Sequence, residues 1–144
     1  MKYEFASRPW FAALHAIICE KAAIAAKTQP EFTYKICEVF TGAPERLATA
    51  SGDRIAWHAI VRGSEVKFDL SEIDEADMKA VADYASVLPL ANYDTMGVPE
   101  RAKELQAMSQ ALVATGRLRI SGSSLAASGN PMSSLHDSIA KLTK

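Results

Sequence analysis

The stretch Gly116-Arg117-Leu118-Arg119-Ile120-Ser121-Gly122 decides the fold. Leu118 and Ile120 stand on one side, and Arg117, Arg119 and Ser121 on the other. This is the alternation of a strand with one face in a core and one in water. A helical pattern over 99–115 leads into it. Pro99 and Glu100 open that helix, where a fixed φ and a negative charge suit the unpaired amides and the helix dipole. Leu105, Met108 and Leu112 form its apolar stripe, and Gly116 supplies the left-handed residue that ends it. An amphipathic helix followed at once by a half-buried strand points to a mixed fold in which helices cover a sheet.

The chain upstream supplies the rest of that sheet. Residues 76–82 alternate, with Met78, Ala80 and Ala82 on one face, and Asp83 caps a helix over 84–93 that Pro89 limits. Residues 54–62 place Ile55, Trp57, Ala59 and Val61 together, and Gly63-Ser64 turns the chain into a return strand over 65–70 with Val66, Phe68 and Leu70 inward. In the strand over 32–40, Phe32, Tyr34 and Ile36 oppose Thr33, Lys35 and Cys37. The segment 41–53 is a loop with a helical turn at 45–49.

At the start, Ser7 caps a helix entered through Pro9, with Trp10, Leu14, Ile17, Ile18, Ile24 and Ala25 at helical spacing. At the other end, a small polar connection over 123–131 leads to a helix over 132–142 bearing Met132, Leu135 and Ile139. The expected fold class is α+β, an antiparallel sheet of about five strands with helices packed on one face, in a single domain over 1–144.

Composition narrows the function. With 16 basic and 17 acidic residues and a net charge of -1, the chain has no electrostatic footprint for a polyanion, so nucleic acid is not an expected partner. Two cysteines, Cys19 and Cys37, lack the paired spacing of a zinc site and read as core thiols, which suits a reducing compartment. The apolar run over 10–19 is too short and too interrupted by charge to cross a bilayer, so no stable membrane insertion and a cytoplasmic location are expected. The acidic residues Asp69, Glu72, Asp74, Glu75 and Asp77 lack the turn glycine and spaced glutamate of a calcium hand and read as a solvated connection. No cofactor or metal is expected.

The order of helix, meander, two helices, strand and helix is similar to that of the sterol carrier protein domain. Two segments carry the resemblance: Ala82-Asp83-Tyr84-Ala85-Ser86-Val87-Leu88-Pro89-Leu90 and Ala114-Thr115-Gly116-Arg117-Leu118-Arg119-Ile120-Ser121-Gly122. The resemblance implies a non-catalytic domain with a tunnel for a sterol, fatty acid or acyl thioester. The expected walls are Trp57 and Phe68 on the sheet and Met108, Leu112 and Leu135 on the helices, with Tyr34 or Tyr84 as a polar contact. Burying about 400 Å² of ligand at roughly 25 cal/mol per Å² gives about 10 kcal/mol gross. Association costs of about 4 kcal/mol or more leave micromolar affinity within reach.

Catalysis is the competing class. His58 with Asp69 or Asp83 is the pair a small isomerase or lyase of apolar substrates would use inside an apolar cavity. His15 and Cys19 share a helix but make only two ligands, and His136 reads as amphipathic packing. The run Ser121-Gly122-Ser123-Ser124 lacks the setting of a nucleophile elbow. A third reading is a dimerising accessory domain without a ligand; a homodimer is also compatible with the carrier.

Overall fold

The computed structural model describes residues 1–47, 52–122 and 129–144. In order, the elements are α1 (Arg8–Ala25), β1 (Thr33–Thr41), a single 3-10 turn (Glu45–Leu47), β2 (Ile55–Arg62), β3 (Glu65–Asp69), β4 (Met78–Asp83), α2 (Tyr84–Ala91), α3 (Pro99–Ala114), β5 (Leu118–Gly122) and α4 (Leu135–Ala140). Thr49, in the expected helical turn, lies outside the described residues, as do Ser123 and most of the small polar connection after it.

The five strands form one sheet in the order β3-β2-β1-β4-β5. The pairings β1 with β2, β2 with β3 and β4 with β5 are antiparallel, but β1 and β4 run parallel, with Glu38 beside Ala80 and Phe40 beside Ala82. The expected all-antiparallel sheet is therefore corrected to a mixed one. The cause is the acidic connection after β3, which crosses the sheet instead of turning back along its edge. Ser71 and Glu72 of that connection bond His58 on β2 and Lys79 on β4. Strand alternation fixes which face a residue takes but not where the next strand docks.

One face of the sheet carries Tyr34, Ile36, Phe40, Ile55, Trp57, Ala59, Val61, Met78, Ala80, Ala82 and Leu118, all buried in a single cluster with Trp10, Phe11, Leu14 and Ile18 of α1 and Leu135 and Ile139 of α4. This inner face is the α+β core. Ser7 accepts from the Trp10 amide at the start of α1, as its position implies. The buried stripe of α1 runs Trp10, Leu14, Ile18, Ala22, Ala25. At about 100° per residue, Cys19 and Ile24 fall off that stripe. Both expected core assignments are overturned: Ile24 is 59% exposed and Cys19 is exposed. Leu70, expected inward, is exposed because β3 ends at Asp69. The last helix is shorter than expected, with Met132 buried in the turns before it.

Gly122 ends β5 at φ +87, and a Cβ there would lie 1.9 Å from the Asp77 carbonyl oxygen. Only glycine lets the edge strand approach the incoming connection so closely. Gly116, at φ +75, faces open space, so its role is the left-handed turn after α3 alone.

Candidate functional site

The register of the sheet sets one cross-strand row on the inner face: Trp57 on β2, Glu38 on β1, Ala80 on β4 and Ile120 on β5. Glu38 is the exception in an apolar layer. It sits on a central strand, with Ile36 and Phe40 two residues away on the same face, and its Oε1 accepts from the Trp57 indole N–H at 3.1 Å. Burial pushes its carboxyl up to about 7, against the opposing pull of the indole hydrogen bond. Near neutral pH the group is therefore divided between acid and anion.

Around Glu38 the helical cover differs from one side to the other. On the β3 side, His15 of α1 stacks on Phe68 at 4.7 Å and Phe68 stacks on Trp57 at 5.6 Å. Phe5 packs against Trp10, Phe40 and Tyr84 with ring centroids within 5.1 Å, and the Trp10 indole donates to the Thr143 hydroxyl at 2.9 Å. On the β5 side, α3 has no fully buried residue; Leu105, Met108 and Leu112 are half-buried, and Ile120, in the inner-face row, is 51% exposed. Apolar surface on α3 and β5 is thus left incompletely covered by the described residues.

The expected wall residues divide between these regions. Trp57 and Leu135 are fully packed, Phe68 is held in its aromatic stack, and Met108 and Leu112 lie on the open helix. Tyr34 is buried on the inner face and stacked on Phe32. The Tyr84 hydroxyl donates to the Phe5 carbonyl at 3.0 Å, so it is committed to the core. The polar group in the inner-face row is instead Glu38. Its signal lies in the sequence, two residues beyond Ile36 on the Tyr34 face, where period-two counting turns a carboxyl inward.

The competing catalytic pair lies apart from the apolar interior, as the alternation of 54–62, which sets His58 on the side opposite Trp57, implies. His58 and Asp69 are opposite one another across β2 and β3, but on the outer face, away from the helices. His58 Nδ1 lies 2.8 Å from the Ser71 carbonyl oxygen and Asp69 accepts from the Ser71 hydroxyl at 2.6 Å, which holds its carboxyl below the usual range. Asp83 caps α2 through the Ser86 amide and hydroxyl. Both carboxylates have structural partners, Asp69 in Ser71 and Asp83 in Ser86.

A cleft of about 670 Å³, open to solvent, is also on the outer side, lined by Thr41, Val81, Asp83, Ser86, Arg117 and Arg119. It is half polar and unlike a hydrocarbon site. Cys37, also outward, lies beneath the crossing connection, and its burial pushes the thiol up, making it less reactive. Among the described residues no cluster could hold a metal ion, and no helix is long and apolar enough to cross a membrane.

No family model matches the chain, and no curated protein does. Solved structures do. A conserved hypothetical protein of Thermus thermophilus, described as possibly a sterol carrier protein, shares 15% identity at a TM-score of 0.45, with 99% of this chain and 90% of that one covered. A UbiJ-SCP2 ubiquinone synthesis protein shares 13% at 0.45, with 96% of each chain covered. A crystal structure of sterol carrier protein 2 shares 15% at 0.46, again over 96% of each. The likeness is one of backbone path.

Proposed function

We propose that the protein binds and carries a hydrophobic small molecule without transforming it, in the space between the inner face of the sheet and α2–α3. The observation that carries this reading is the under-covered apolar surface of α3 and β5, where Ile120 is half exposed and Leu105, Met108 and Leu112 lack full cover. A helix whose apolar stripe is not buried gains stability when a ligand completes the contact. Met108 adds a flexible, polarisable wall suited to ligands of varied shape. Sterols, fatty acids and acyl thioesters are the classes to try, and a cytoplasmic, single-domain carrier is the form we assign to it.

Native mass spectrometry followed by solvent extraction tests the reading directly. A co-purified lipid, or saturable uptake of a neutral fluorescent apolar dye, is the expected result; a protein that is empty and takes up no such dye would sink it. Met108→Arg should abolish uptake while changing stability by no more than about 0.5 kcal/mol, as for a substitution outside the core. Loss of uptake with an unchanged thermal melt separates ligand contact from folding.

A further inference from the structure

From its place in the inner-face row and its one open oxygen, we infer that Glu38 is the polar anchor of this site and selects apolar molecules with a hydroxyl head over those with a carboxylate head. The inference rests on the carrier reading and names the ligand class of the same site.

Glu38 Oε1 is taken by the Trp57 indole, and Oε2 has no hydrogen-bond partner among the described residues. No fully buried side-chain nitrogen or oxygen among them is left unpaired, so Oε2 is not sealed in the core. The side chain is half-buried even though it springs from a central strand, so its free oxygen opens onto a gap beside it. In the row, the next residue toward the β5 edge is the buried Ala80, with only a methyl group, and beyond it is the half-exposed Ile120. A carboxyl oxygen facing an apolar gap is costly to leave without a partner.

A hydroxyl satisfies that oxygen in either protonation state, donating to the anion and accepting from the acid. A second carboxylate does not. Two carboxyls at one apolar site must share a proton, because both cannot ionise there. With the Glu38 carboxyl titrating at about 7, a fatty-acid anion must bring a proton with it at higher pH. Its affinity then falls about tenfold per pH unit above neutrality, whereas an alcohol of the same chain length does not depend on pH in this way. The hydrocarbon burial is identical for the two, so the head group alone decides.

The other ionisable groups of the covering elements that are not fully exposed have partners of their own. On α1, His15 stacks on Phe68 and Lys21 donates to Ser134. Tyr84 at the start of α2 donates to Phe5, and Arg101 on α3 donates to the Asp94 carbonyl. On α4, His136 meets the Tyr93 carbonyl and Asp137 accepts from Thr95. Tyr34 shares the inner face of β1, and the three other strands bonded in this row contribute only apolar residues to it.

Displacement of Nile red by dodecan-1-ol and by dodecanoate, from about pH 6 to about pH 8.5, tests the inference on the whole chain. The wild type should prefer the alcohol by at least about tenfold at the upper pH, with the preference shrinking toward the lower. Glu38→Gln keeps the size and the acceptor for Trp57, and should show one ratio at every pH. A wild-type ratio that does not change with pH, or a Gln variant that keeps the pH-dependent gap, overturns the inference. Nile red uptake with neither compound competing also overturns it, whereas no dye uptake at all overturns the carrier reading itself. As a measurement independent of the variant's folding, the carboxyl carbon of Glu38 in the wild type should change its NMR titration when dodecan-1-ol is added; an unchanged titration counts against the anchor.

Discussion

The two halves of the helical cover meet the same sheet in different ways. Beneath α1 and α4 the inner face is closed by aromatic rings in contact, with the Trp10 indole and the Tyr84 hydroxyl both hydrogen-bonded inside. At the β5 edge the inner face ends on Ile120, half in solvent, and α3, which neighbours α2 and β5, buries no residue fully. The first half can hold the fold and the second cannot contribute equally, because stability follows the apolar area removed from water. Between them lies Glu38, whose raised pKa records how far the closed half desolvates it.

Deleting a ring from the closed half should have the largest effect. Trp10 is buried against Phe5 and Phe11 and bonded to Thr143, so Trp10→Ala should cost about 3–5 kcal/mol. Urea unfolding measures this directly; a loss below about 1 kcal/mol would mean the closed half is not what holds the chain together.

Glu38 gives the next largest effect, and one with a sign that depends on pH. Its folded pKa of about 7 lies above the ordinary 4.5, so between these values the folded chain holds a proton that the unfolded chain has released. Stability from this group is therefore highest below the unfolded pKa and falls as pH rises through the folded one. The loss is about 3 kcal/mol once pH passes 7. Glu38→Gln, which never ionises, should be more stable than wild type by about that amount near pH 8 and equal to it near pH 4. Unfolding curves at the two pH values that differ by the same amount in both proteins would show that the carboxyl is not desolvated.

Much of this contrast is legible in the chain. Ser7 and Asp83 cap α1 and α2, and the alternation of 54–62 assigns Trp57 and its neighbours to the inner face. Counting by two from Tyr34 through Ile36 arrives at Glu38, so the inward carboxyl is written in β1, although its effect depends on Trp57 and on helices far away in sequence. The parallel pairing of β1 with β4 is not written locally. It follows from the connection after β3 crossing to Lys79, a long-range docking choice that no single strand pattern encodes. For α1, counting at about 100° per residue from Trp10, Leu14 and Ile18 already turns Cys19 and Ile24 away from the buried stripe, so their exposure is legible once the period is applied strictly.

The smallest effect on stability sharpens the comparison most, because it is confined to one strand. Leu118 and Ile120 point the same way from β5, one 5% exposed beside Ala82 and the other half exposed beside Ala80. Leu118→Ala removes a packed side chain and should cost about 2–5 kcal/mol. Ile120→Ala leaves no sealed cavity and should cost less than about 1 kcal/mol in the empty protein. If the space beneath α3 holds a ligand, that order reverses for uptake: the Ile120 variant should bind the neutral dye more weakly while melting almost as the wild type does. If Ile120→Ala instead destabilised the empty chain as much as Leu118→Ala, the surface beneath α3 would already be closed, and the two halves of the cover would serve the fold alike.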